Sequence, residues 1–196
     1  MSGTLPVVVM GASAGGVEAL KLLVSGLPKD LPAAVLVVLH LAPGGPSVLP
    51  QILARHTDLA VVVAEDGQQL SPGTIYVGPP NRHLELHERT VRLTQHPPQD
   101  HHRPSIDRLF VSAAESAGPR AIGVILSGCL DDGTLGLAAI VRNGGSALVQ
   151  DPQTAAYPDM PASALLAIPA AVRLPIDQLA AALVLLCAGT PVTPSG

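Results

Sequence analysis

The chain has 196 residues, 47% of them hydrophobic and 13% charged, with a net charge of −4. That length fits one domain able to bury a sizeable core, and the balance excludes a disordered chain. Only Tyr76, Phe110 and Tyr157 are aromatic and no basic surplus exists, so neither base stacking nor phosphate-backbone binding is expected, and nucleic acid is not a predicted partner.

Leu5 to Met10 reads as a buried strand that ends at Gly11-Ala12-Ser13-Ala14-Gly15-Gly16. A helix follows, with Val17, Leu20, Leu23 and Val24 on its apolar face. Ala33 to Leu39 is a second buried strand ending at His40, and Pro43-Gly44-Gly45-Pro46 breaks the chain after it. A helix from about Ser47 to His56 and a strand from Ala60 to Ala64 come next. Ile75 to Val77, Leu84 to Leu86 and Thr90 to Leu93 are shorter and more polar, which predicts an antiparallel excursion around residues 73–94. Gln95 to Arg103 is polar and reads as a loop. Pro104 fits a first helical position, with Ile106, Leu109, Phe110 and Ala113 at helical spacing. Ala121 to Leu126 is another buried strand, ending at Ser127-Gly128-Cys129-Leu130-Asp131-Asp132-Gly133. A helix to about Asn143 and a strand from Ser146 to Gln150 follow. Pro161 marks a short helix, Ile176 to Cys187 a last one, and residues 189–196 read as a flexible tail after a single domain over residues 1–188.

The alternation predicts an α/β fold, a doubly wound and mostly parallel sheet flanked by helices. Ligands in such sheets sit beyond the carboxyl ends of the strands. Ser13, His40 and Asp132 each follow a predicted strand, so three separate segments deliver a hydroxyl, an imidazole and a carboxylate to one rim. A serine hydroxyl is a weak nucleophile until a base takes its proton, and that base needs an orienting partner. His40 suits the base, and Asp132 or its neighbour Asp131 suits the partner. Ser13 lies in G-x-S-x-G, where small neighbours permit a sharp strand-to-helix turn and the helix start offers N–H groups to a developing oxyanion. The order Ser, His, Asp differs from the Ser, acid, His order of α/β-hydrolases.

Other chemistries fit less well. Gly11, Gly15 and Gly16 do not have GxGxxG spacing and lack a P-loop ending, which weakens a phosphate cradle. His83, His87, His96, His101 and His102 lack the acidic or thiol partners that would complete a metal site, and the plain reading is solvent-exposed histidines. Cys129 and Cys187 form no CxxC pair, and with no signal peptide they point to a reducing, cytoplasmic setting. The late apolar run from Leu179 to Ala188 is too short to span a bilayer, so no membrane insertion is expected.

Several blocks taken together resemble one family. Gly11-Ala12-Ser13-Ala14-Gly15-Gly16, His40 with Pro43-Gly44, Glu65-Asp66-Gly67, Pro72-Gly73-Thr74-Ile75-Tyr76 and Pro79 with His83 occur in order. His102-Arg103-Pro104-Ser105-Ile106-Asp107, Val124 to Gly128 leading to Asp132-Gly133, Gln150-Asp151 and Met160-Pro161 complete the series. From about Val7 to Leu185 the chain resembles the catalytic domain of the chemotaxis protein-glutamate methylesterases, the CheB family. The resemblance implies removal of methyl groups from γ-glutamyl methyl esters on the cytoplasmic helices of methylated chemoreceptors, and deamidation of receptor glutamines in many members. It implies Ser13 as nucleophile, His40 as general base and acid, Asp132 as orienting acid, the backbone N–H of Cys129 as an oxyanion donor, and no metal or organic cofactor. Three departures stand out: Ala14 where the family often has Thr, Leu130 where it often has Gly, and no N-terminal receiver domain ahead of the first strand. The first two motivate an alternative, a catalytically weakened member that binds a partner of a chemosensory pathway.

Overall fold

In a computed structural model the described residues are 5–40, 47–99 and 102–193. The Pro43–Pro46 chain break, the Pro43-Gly44 part of the family block, His101 and the end of the expected tail lie outside them.

Strands β1 (Val7–Ala12), β2 (Ala34–Leu39), β3 (Ala60–Val63), β4 (Thr74–Val77), β7 (Ala121–Ile125), β8 (Ser146–Gln150) and β9 (Val172–Leu174) form one sheet in the order β3-β4-β2-β1-β7-β8-β9. Every neighbouring pair in it is parallel. Strands buried on both faces need no polar alternation, and β1, β2 and β7 are buried at every position, as their runs of Val, Leu, Ile and Ala anticipate. Alternate residues feed two cores. Val7 and Val9 pack with helices α3 (Ile106–Ala117), α4 (Thr134–Arg142) and α5 (Asp159–Ala167), while Val8 and Met10 pack with α1 (Gly16–Ser25), α2 (Leu49–Ala54) and α6 (Ile176–Cys187).

The antiparallel part is narrower than the sequence suggests. Only β5 (His83–His87) and β6 (Thr90–Thr94) form a hairpin, which lays Leu84, Leu86 and Val91 into the α3 side of the core. Thr74–Val77 instead inserts parallel between β2 and β3, because Ile75 and Tyr76 are both buried and so face opposite helix layers. Helix α3 starts at Ile106 rather than Pro104. Ser105 keeps an extended backbone and its hydroxyl accepts the Arg108 N–H at 3.4 Å, so the serine takes the cap and the proline stays outside. No helix of the described residues is long and apolar enough to cross a membrane.

Sequence order reverses between β1 and β7: on one side the chain runs from β1 to β2, out to the edge strand β3 and back to β4 between them, and on the other it moves outward through β7, β8 and β9. Open α/β sheets bind ligands outside the carboxyl ends of their strands at such a reversal, here the ends of β1 and β7.

Candidate active site

Ser13 is the first residue beyond β1. Its N–H donates to the Ser127 carbonyl at 3.0 Å, and its own carbonyl accepts the Gly16 N–H at 2.9 Å, which closes the turn into α1. Gly15 completes that turn with φ of 73°, a left-handed conformation that glycine adopts without a side-chain penalty. Ser127, just beyond β7, braces the turn a second time: its hydroxyl donates to the Ala14 carbonyl at 2.8 Å and accepts the Tyr157 N–H at 3.0 Å. Gln150 at the end of β8 accepts the Ser127 N–H at 3.0 Å. The Ser13 turn is therefore supported from β7 and β8 through backbone groups, and Ala14 contributes a carbonyl where it has no hydroxyl to offer.

His40 occupies the same level on the adjacent strand. Ala12 pairs with Leu39, and the His40 N–H donates to the Ala12 carbonyl at 3.0 Å, so Ser13 and His40 follow side by side beyond paired strands. His40 Nε2 lies 2.8 Å from Asp132 Oδ2, with both side chains almost fully buried. An ionised carboxylate only accepts, so Nε2 carries the proton and Nδ1 presents its lone pair. His40 Nδ1 is buried and has no hydrogen-bond partner among the described residues. The Ser13 hydroxyl does not bond it in this geometry.

The carboxylate sits at the N-terminus of α3. Asp132 Oδ2 also accepts the Ile106 N–H at 2.8 Å, and Oδ1 accepts the Asp107 N–H at 2.9 Å and the Ser105 hydroxyl at 3.2 Å. The Ile106 and Asp107 amides are among the unpaired N–H groups with which every helix begins. Burial pushes the Asp132 carboxyl upward. The His40 hydrogen bond and the Asp107 and Ile106 amides outweigh it, so the group lies below the ordinary aspartate range and stays ionised. Asp131, the alternative acid, is exposed.

The structure thus unites His40 with Asp132 and sets Ser13 next to His40. Cys129 is half-buried in the loop after β7, one residue past Gly128, which itself lies against Ser13. Three features escaped the sequence reading. His102 stacks its ring on His40, the start of α3 cradles the acid, and His83 is fully buried rather than exposed. A serine placed before an apolar helical repeat is a cap signal, and it was the available pointer to the cradle. Among the described residues no group of three or more His, Cys, Asp or Glu side chains is arranged to hold a metal ion.

A parallel sheet with a serine turn and a buried histidine–carboxylate pair at its reversal point defines the class of serine-hydrolase-like α/β domains. Within that class the CheB methylesterase family model matches residues 8–183, and the chain belongs to this family. A protein-glutamate methylesterase/protein-glutamine glutaminase 2 of Anaeromyxobacter dehalogenans is 43% identical over 178 residues, 90% of this chain and 52% of the relative. A protein-glutamate methylesterase/protein-glutamine glutaminase 1 of Xanthomonas euvesicatoria is 36% identical over 185 residues, 92% of this chain and 51% of the relative. The chain therefore spans about half the length of these curated relatives. The crystal structure of the Thermotoga maritima CheB methylesterase catalytic domain superposes with a TM-score of 0.89 at 32% identity, over 94% of this chain and 100% of that one.

Proposed function

We propose that this chain hydrolyses γ-glutamyl methyl esters of methylated chemoreceptors, with Ser13 as nucleophile, His40 as general base and acid, and Asp132 as the group that orients His40. The observation that carries the reading is the 2.8 Å bond between His40 Nε2 and Asp132 Oδ2, which leaves a buried Nδ1 lone pair without a partner among the described residues, on a residue whose N–H bonds the Ala12 carbonyl next to Ser13. Closing of the Ser13 hydroxyl on Nδ1 hands its proton to His40 as Oγ attacks the ester carbonyl. Collapse of the tetrahedral intermediate returns that proton to the departing methoxide, which leaves as methanol. Water then repeats the sequence on the acyl-enzyme and restores the serine and a free carboxylate. With a glutamine side chain the same steps expel ammonia, the deamidation that the relatives' names specify.

Asp132 holds the tautomer and stabilises the imidazolium that forms, without itself taking the proton. The turn at the start of α1 and the Gly128–Cys129 segment flank Ser13, and the Cys129 N–H is the proposed oxyanion donor. Chemoreceptor cytoplasmic helices are the proposed partner, and the cytoplasm the proposed location.

The test is methanol release from receptor helices carrying labelled methyl esters. Ser13→Ala and His40→Ala should each lower kcat by about 10⁴-fold or more, because triad members act as a unit. Binding of the methylated receptor without methanol release by the unmodified chain would instead favour a partner-binding role. Full turnover in a folded Ser13→Ala protein would remove the mechanism.

A further inference from the structure

We propose that His83 is a positioning residue for this site, a clasp that joins the two ends of the Pro97–Ser105 segment and so fixes the start of α3 beneath Asp132. The proposal rests on the reading of Asp132 as the orienting acid. His83 opens β5 and is 0% exposed. Its Nδ1 accepts the Ser105 N–H at 3.2 Å, and its Nε2 lies 3.2 Å from the Pro97 carbonyl oxygen. A carbonyl only accepts and an N–H only donates, so both bonds form together in one state alone, the neutral ring with its proton on Nε2.

Ser105 is the other half of the argument. While its N–H is held by His83, its hydroxyl donates to Asp132 Oδ1, and the next two N–H groups donate to the same carboxylate. The Ser105 N–H is thereby directed away from the carboxylate, and the plane of the following turn is set. Asp132 in turn holds His40. The order is His83, Ser105, Asp132, His40, each link a hydrogen bond of 3.2 Å or less. His102, three residues before Ser105, lays its ring on His40. Both nitrogens of His83 are spent on backbone groups, so it transfers no proton in the reaction and acts only through its neighbours. Burial keeps the ring from protonating; Arg108 adds to that effect, and Glu85 and the Pro97 and His96 carbonyls oppose it.

Two substitutions separate the ends of the clasp. Asparagine places a carbonyl oxygen where Nδ1 stands and retains the acceptor for Ser105. Glutamine places an amide nitrogen near the Nε2 position and retains the donor to Pro97. His83→Leu should lower kcat roughly 10- to 100-fold with KM changed less than about twofold, since a displacement near 1 Å costs that much in a positioned site. His83→Asn should recover kcat to within about threefold, and His83→Gln should not. Equal kcat in the Asn and Gln variants, or an unchanged kcat in His83→Leu, would overturn the clasp.

Two readouts are independent of turnover. Nitrogen-15 shifts of the unsubstituted protein should show His83 neutral and protonated on Nε2; a charged ring or the other tautomer would refute the proposal even where no variant folds. The His40 Nε2–H proton resonance should persist in His83→Asn and shift or exchange away in His83→Leu and His83→Gln. If Ser13→Ala retained turnover, the triad reading would fail while these resonances still decided the role of His83.

Discussion

The imidazole of His102 lies flat on that of His40, ring centroids 3.7 Å apart and planes 8° from parallel. The bond to Asp132 fixes one atom of the His40 ring but leaves rotation about that bond free. A stacked face restricts this freedom and so holds the plane of the ring. Such contacts contribute about 1–2 kcal/mol. His102→Ala should therefore lower kcat about 5- to 30-fold with little change in KM, and His102→Phe, which keeps a planar face, should recover most of it. Steady-state methanol release checks both.

Acidification should weaken the fold in two stages. The His83 pKa in the fold is lowered from 6.5, mainly by burial, so the unfolded chain binds its proton first. The stabilisation from the neutral ring is complete above about pH 6.5 and is lost as pH falls through the lower folded value. Arg108 on α3 opposes protonation of this ring and Glu85 on β5 favours it. Asp132 is also lowered in the fold, so its contribution is complete above about pH 3.9 and is lost as pH falls through its folded value. Urea midpoints measured against pH should decline first below about 6.5 and again below about 3.9. His83→Asn should flatten the first decline and Asp132→Asn the second. A midpoint that rises between pH 6.5 and 5 would contradict the His83 assignment.

The placement of Ser13, His40 and Asp132 at one rim was legible because each follows a strand that hydrophobic runs alone define. Val7–Ala12, Ala34–Leu39 and Ala121–Ile125 are buried on both faces, and a parallel sheet brings their carboxyl ends to one rim whatever the loops do. The supporting residues lie in segments without such periodicity. His83 looks like a polar hairpin residue until the start of α3 bonds it, and His102 belongs to a Pro/His-rich stretch that includes the Gln99–His102 bridge but no regular strand or helix among its described residues. Thr74–Val77 has turn residues on either side, so its four residues read as half of a hairpin; only the neighbouring β2 and β3 make it a parallel strand. Val172–Leu174 is three residues long and exists through its register with β8, which no local pattern records.

Leu130 should be a site of stored strain. Its φ is 64°, in the left-handed region, and its side chain is 66% exposed, so little packing offsets the backbone cost. That conformation costs an L-residue about 1–2 kcal/mol, whereas glycine adopts it freely but loses more entropy on folding. Leu130→Gly should raise stability by about 0.5–1 kcal/mol, read as a higher urea midpoint at unchanged m-value. A lower midpoint would mean that the exposed leucine makes contacts worth more than the strain.

Gly128 should be intolerant of a single added carbon for a reason specific to catalysis. A Cβ there would overlap the sulfur of Met160 and stand 2.9 Å from Ser13 Cβ. Neither neighbour can yield freely. Met160 is fully buried, and Ser13 is held by its N–H bond to the Ser127 carbonyl. Gly128 itself is pinned, donating to the Tyr157 carbonyl and accepting the Met160 N–H, each at 3.0 Å. Gly128→Ala must therefore shift the serine turn against β7. Overpacking of this kind costs about 1–3 kcal/mol of stability, while displacement of Ser13, the proposed nucleophile, should cost about 100-fold in rate. Gly67→Ala is the control. It meets nothing within 4 Å and carries only the penalty of φ 79°, about 1–2 kcal/mol, beyond the edge strand β3, where its N–H bonds the Val91 carbonyl of β6. The two variants should thus lose comparable stability in urea, yet only Gly128→Ala should lose turnover. Equal turnover in both would mean that the Gly128 loop does not set the position of Ser13.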